Sequence, residues 1–161
     1  SVTGSRFRDV MGHLAGGVAV VTSLGRDGTA RGLTATAVCS VSMDPPLVLA
    51  SVDRGSRTHG AIEASGFYAI NLLSADQEEL AVRFASKDPD KFRGLGVGAA
   101  STGAPVLEAG LAYLDCEVHR EVAAGDHTLF VGRVEAAAVQ GDDVGEPLIY
   151  HLGRYGTLAG E

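Results

Sequence analysis

Tryptophan is absent from this sequence of 161 residues, cysteine and methionine occur twice each, and proline five times. The two cysteines, Cys39 and Cys116, lie far apart, each in an apolar stretch, and are read as free, buried thiols in a reducing cytoplasm rather than as a disulfide. No apolar run approaches the roughly 20 residues of a membrane-spanning helix. Ser1 to Phe7 lacks the basic and then apolar stretch of a secretion signal, so a cytoplasmic location without a membrane partner is expected. Positive charge is also scarce. Thirteen Lys and Arg against 20 Asp and Glu give a net charge of −7, which excludes a general nucleic-acid binder. There is no Walker loop and no G-x-S-x-G elbow. Gly94, Gly96 and Gly98 lack the flanking strand and helix of a dinucleotide fingerprint, so any nicotinamide must bind without a Rossmann fold. Cys116 and His119 point to opposite faces of a strand and make a poor metal pair.

What remains is a chain long enough for one domain, residues 1–161, with a core that needs neither metal nor disulfide. Phe7, Val10, Met11 and Leu14 follow the spacing of one helix face, stopped by Gly16-Gly17. Val18 to Ser23 reads as a strand and Arg26-Asp27-Gly28 as a turn. Arg31 to Ser42 reads as one long strand, with Ala35, Ala37, Cys39 and Val41 on one face. Asp44-Pro45-Pro46 breaks the chain before a strand at Leu47 to Val52. A short helix is expected over Ser56 to Ala64, closed by Gly66, then a strand over Phe67 to Leu73. Ser74 with Gln77 forms a capping box opening a helix that carries Leu80, Ala81 and Phe84 on one side. Lys87 to Gly103 reads as a long loop, and Leu111 to Val122 and Thr128 to Val139 as long strands. His119, with Asp115, Glu117 and Glu121, is taken as a solvated face. Pro147 to Tyr150 is a last strand. Consecutive strands with short turns predict a mainly β, largely antiparallel sheet, closed into a barrel to remove its edges.

Four segments can carry chemistry, and the tyrosine-bearing tail is a further candidate. Ser51 to Thr58 ends a strand, turns at Gly55 and opens a helix, whose unpaired N–H groups suit a phosphate, with Ser56, Thr58 and Arg54 or Arg57 as further partners. The alternative is that Ser56 merely caps the helix. Thr34-Ala35-Thr36-Ala37 alternates small side chains with hydroxyls, which lets a flat ring approach; it is equally an ordinary strand. Arg83-Phe84 with Lys91-Phe92 offers two cations and two aromatics for a second phosphate or an adenine, or is a solvated loop. His127, in Gly125-Asp126-His127, is a turn residue or a hydrogen-bonding group on a cleft. Tyr150 and Tyr155 flank His151 and Arg154 as core closures or stacking groups.

In order and spacing, these segments resemble the short-chain flavin reductases, the reductase halves of two-component flavin-dependent monooxygenases. The resemblance runs from Phe7 to Leu158. It is carried by Ala15 to Thr22, Gly32 to Ala37 running into Ser40 to Leu47, Ser56-Arg57-Thr58, Phe67 to Leu73, Arg83-Phe84-Ala85 with Asp90-Lys91-Phe92, and Gly125-Asp126-His127. It implies a split, Greek-key β-barrel, a homodimer, that binds FMN or FAD and takes a hydride from NADH or NADPH to supply a separate monooxygenase. By position it implies that Thr34, Ala35, Thr36 and Ala37 line the flavin ring and that Ser51 and Asp53 border the ribityl chain. Ser56 and Thr58 would hold the phosphate, and Arg83, Phe84, Lys91 and Phe92 would meet the phosphate or the adenylate end. His127 and Tyr155 would lie on the nicotinamide side. A flavin-binding carrier or sensor of the same fold, and an oxidase of the pyridoxamine-phosphate type, are the competing readings.

Overall fold

Gly28 takes a positive φ of 77°, as the Arg26-Asp27-Gly28 turn demands, and folds one strand back on the next. The structure, a computed structural model, describes residues 1–141 and 145–159. In chain order it contains α1 (Gly4–Met11), β1 (Gly16–Gly17), β2 (Ala19–Leu24), β3 (Ala30–Ala35), β4 (Val38–Met43), β5 (Pro46–Asp53) and α2 (Arg57–Ser65). There follow β6 (Phe67–Leu72), a 3-10 turn (Ala75–Gln77), α3 (Glu78–Phe84), β7 (Val97–Gly98) and β8 (Val106–Leu107). The chain closes with β9 (Ala112–Ala124), β10 (His127–Val139), β11 (Ile149–His151) and β12 (Arg154–Gly156).

Seven strands form one antiparallel sheet in the order β3-β2-β6-β9-β10-β5-β4. The mainly β class is as expected, but the closure is not. The outer strands β3 and β4 share no ladder, so the sheet is open rather than hydrogen-bonded into a barrel. These two outer strands are nonetheless consecutive in sequence. The expected strand from Arg31 to Ser42 is broken at Thr36–Ala37, where the chain leaves one edge and joins the other: the Ala37 carbonyl accepts from Ser51 N–H at 3.0 Å and starts the pairing of β4 with β5.

Both faces of β2 are covered, so Ala19 to Ser23 are buried without a break. Ala19 and Val21 pack with Ile62 of α2, Ile70, Cys116 and Phe130. Val20 packs with Ala81 and Phe84 of α3, Leu73, Leu107 and Leu148. Ser56 caps α2, Gly66 ends it at a φ of 79°, and the Ser74–Gln77 capping box is formed. Gly132 sits at a register shift of β10 because a Cβ there would stand 2.5 Å from the Tyr68 hydroxyl, which donates to the Phe130 carbonyl at 2.7 Å.

Three local expectations are corrected, and the apolar face of α1 is left uncovered by the described residues: Phe7, Val10 and Met11, with Leu14 just beyond the helix, are all exposed. Cys39 is exposed on the edge strand β4, and only Cys116 is buried. Asp115 is not on a solvated face but fully buried, since the segment around Ser101 folds over it and donates from Ser101 N–H, Thr102 N–H and Thr102 Oγ1. The tail gains β12, paired with β11.

Candidate functional site

A cleft of about 710 Å³ opens where β3 runs into Thr36–Ala37, next to the end of β5 and the start of α2. Each of the four chemical segments reaches it. Thr34, Ala35, Thr36 and Ala37 line it from the sheet edge, and Ser51 and Asp53 from the end of β5. Ser56, Arg57 and Thr58 contribute the opening turn of α2, and Phe84, Lys91 and Phe92 the segment after α3. His127 lines it from the start of β10, where it pairs in register with Asp53.

The local hydrogen bonds say what each group has left to offer. Ser56 Oγ accepts from His59 N–H at 3.1 Å and donates to the Asp53 carbonyl at 2.8 Å, so the capping role is real. The first-turn N–H groups of Arg57 and Thr58 have no intrahelical acceptor, as at every helix start, and they carry the positive end of the helix dipole. Thr34 Oγ1 donates to the Ala81 carbonyl at 2.6 Å, so its hydroxyl is held by α3, and the residue lines the cleft alongside Ala35 and Ala37. Asp53 Oδ1 accepts from Gly55 N–H at 2.8 Å and fixes the turn into α2. His127 Nδ1 and Asp126 Oδ1 are 2.8 Å apart, and this hydrogen bond to His127 holds the Asp126 carboxyl below the usual carboxylate range.

Lys91 is the most constrained cation. Its Nζ donates to the carbonyls of Gly32 and Phe84, both at 3.0 Å. Burial, followed by repulsion from Arg57 and Arg31, holds its ammonium below the usual lysine range, with Asp88 opposing. Its neighbour Phe92 meets Phe84 edge-on, with ring centroids 5.0 Å apart at 89°. Gly32 makes that pair possible, because a Cβ on it would lie 2.6 Å from Phe84 Cε1. In a chain of net charge −7 the cleft gathers Arg31, Arg57, Lys87 and Lys91 against only Asp53 and Asp88. Such a local reversal of sign suits an anionic ligand.

Two expected residues lie elsewhere. Arg83 is absent from the lining: its guanidinium turns to the carbonyls of Lys91 and Arg93. Tyr155 packs on Tyr150 with centroids 4.9 Å apart and lines a separate recess of the tail with His151 and Arg154. Sequence reasoning missed Arg31, which carries no signal beyond following a turn. It also missed His59, buried behind the start of α2 with Nε2 2.8 Å from Thr128 Oγ1. The three-residue spacing of His59 and Ile62, both buried, is the signal that was there to read. Among the described residues no cluster of three metal-ligating side chains occurs.

Residues 11–159 match the flavin reductase like domain family. The chain is 39% identical over 153 residues to a flavin reductase of Pseudomonas putida, covering 95% of this chain and 89% of that one. It is 35% identical over 150 residues to the reductase subunit HsaB of a flavin-dependent monooxygenase of Rhodococcus jostii, covering 93% and 75%. Its fold superposes on the NADH:FAD oxidoreductase SgcE6 of Streptomyces globisporus, solved with NAD and FAD fragments, at a TM-score of 0.88 and 35% identity over 96% of this chain and 92% of that one.

Proposed function

This chain belongs to the flavin reductase like domain family, and from that premise we propose that it is an NADH-dependent flavin reductase serving a separate monooxygenase with reduced flavin. One observation carries the reading at the level of the site: the cleft combines a strip of small residues on a sheet edge with a helix start and four cations. A flavin phosphate needs that combination, a flat surface for the ring and a positive pocket for the tail.

The residues present fit FMN or FAD. Arg57, Thr58 and the first-turn N–H groups of α2 hold the phosphate, with Ser56 fixing that turn. Thr34 to Ala37 would face the ring, and Ser51 and Asp53 would border the ribityl chain. Phe84, Lys91 and Phe92 would meet the phosphate or, in an FAD complex, the adenylate end. When bound, the flavin accepts a hydride from the nicotinamide, a transfer that needs no acid–base group of its own. The chain's task is to orient. His127, which lines the cleft and is steadied by Asp126, would lie on the nicotinamide side. Tyr155 has no assigned role in this cleft.

A homodimer accounts for the apolar residues of α1, Phe7, Val10 and Met11, which the described residues leave uncovered. No described helix is long and apolar enough to cross a membrane; the cytoplasm, where NADH is regenerated and thiols stay free, is the proposed location.

The test mixes protein, NADH and excess FMN or FAD and follows the nicotinamide absorbance. Flavin-dependent loss is expected with both flavins. Flavin binding without that loss identifies a carrier or sensor and overturns the assignment.

A further inference from the structure

Among the residues around the cleft, Arg83 is the one that the cleft does not contain. It sits in the last turn of α3 and is half-buried, and its guanidinium Nη1 reaches the carbonyls of Arg93 at 3.0 Å and Lys91 at 3.4 Å. The segment it holds is the one that supplies Lys91 and Phe92. That segment has little regular structure of its own: between α3 and β7 it is tied by short-range turns, Asp88 N–H to Ser86 Oγ, Asp90 N–H to Asp88 Oδ1, and Arg93 to Asp88 and the Asp90 carbonyl. Those bonds fix the loop to itself. Its far end is tied to the fold by Leu95 on the core and by Glu108 N–H on the Gly96 carbonyl; around Lys91 and Phe92 the ties are Phe92 on Phe84, the Lys91 ammonium on the Gly32 and Phe84 carbonyls, and Arg83 on the backbone from outside.

We propose that Arg83 is a positioning residue: by gripping the backbone on both sides of Phe92 it holds Lys91 and Phe92 against the cleft, and it influences flavin binding only through them. This inference rests on the cleft being the flavin site. It departs from the expectation that Arg83 meets the ligand phosphate itself. A guanidinium that donates to two carbonyls has directed N–H groups engaged with the chain, and the planar fork keeps that geometry at low entropic cost. Freed of it, the loop has to be ordered again at each binding event, and the affinity for ligand falls by that amount.

The test is a double-mutant cycle read in the flavin KM. Arg83→Met keeps the aliphatic stem and removes the donors; Lys91→Met removes the ammonium. Each single variant is expected to raise the KM for FMN by about ten-fold, the loss of roughly one charge-assisted interaction, with kcat changing far less. Combined, they are expected to raise it by clearly less than the product of the two, because Arg83 then has only Phe92 left to position. Multiplicative effects mean that Arg83 meets the ligand directly and overturn the proposal, as does a KM unchanged in Arg83→Met. Arg83→Lys, which restores a donor, is expected to recover part of the loss. If Arg83→Met does not fold, the same cycle run from Arg83→Lys decides between the two outcomes. Wild-type protein that oxidises no NADH with flavin overturns the functional reading instead, and the same cycle is then read in FMN dissociation constants.

Discussion

Replacing Lys91 with methionine separates what the cleft does for a phosphate from what it does for a ring. The methionine keeps most of the stem and its packing near Phe84 but loses the two 3.0 Å bonds to the Gly32 and Phe84 carbonyls and the charge. Two of the three ammonium N–H groups serve those carbonyls and the third is left for a phosphate; a charged hydrogen bond of that kind contributes about 1.5–3 kcal/mol net. At about 1.4 kcal/mol per factor of ten, FMN affinity falls by roughly ten- to a hundred-and-fifty-fold. Riboflavin has the same ring and no phosphate, so its affinity moves only through loosening of the loop, about three-fold or less if that costs half a kcal/mol. Fluorescence titration of both ligands against wild type and variant gives the ratio of ratios directly. The pH dependence supplies a second signature. Because burial and two arginines depress the Lys91 pKa, its charge is lost at a lower pH than that of an exposed lysine. FMN affinity of the wild type is expected to decline on the alkaline side before the usual lysine range is reached. Riboflavin, which shares any ring titration, should not show the decline, and neither should the variant. The reasoning is refuted if both ligands lose affinity equally, or if the variant keeps the alkaline decline for FMN alone.

Two further outcomes are expected. Gly32→Ala places a Cβ 2.6 Å from Phe84 Cε1 and 3.3 Å from Phe92 Cζ; overpacking of this kind costs about 1–3 kcal/mol, lowering Tm by roughly 2–10 °C and raising the flavin KM together. Gly60→Ala, in the open interior of α2, is the control and should raise Tm slightly. A thiol reagent should modify Cys39 in the native protein and reach Cys116 only on unfolding, since burial, with Asp115 and Glu135 nearby, pushes the Cys116 thiol up to about 12; equal rates at the two cysteines contradict the burial described.

Helix starts and turns were legible in the sequence because their chemistry is local. Ser56, Gly66, the Ser74–Gln77 box and Gly28 each do what their residue types dictate within four positions. The residues lining the cleft were legible through family resemblance, and the structure brings together those from β3, β5, α2 and β10. What the sequence hid was non-local. Asp115 reads as solvated until the segment around Ser101 covers it. Arg83 reads as a ligand contact until its carbonyl partners ten residues on are seen. The apolar spacing of Phe7, Val10 and Met11 predicts a helix correctly but not what it packs on, since periodicity gives a face and never its neighbour. The break at Thr36–Ala37 also escaped, because alternation of small residues and threonines continues straight through it.

That break has a mechanical consequence. A sheet whose two rims are stitched by a pair of residues cannot spread or tighten without pulling on the stitch, and here the stitch lines the cleft proposed to seat a planar ligand. The gap available to such a ligand is therefore coupled to how strongly the whole sheet coils, including at the distant pinch around Gly132. Substitutions that flatten the sheet far from the ligand should be felt first as a change in how well the ring seats.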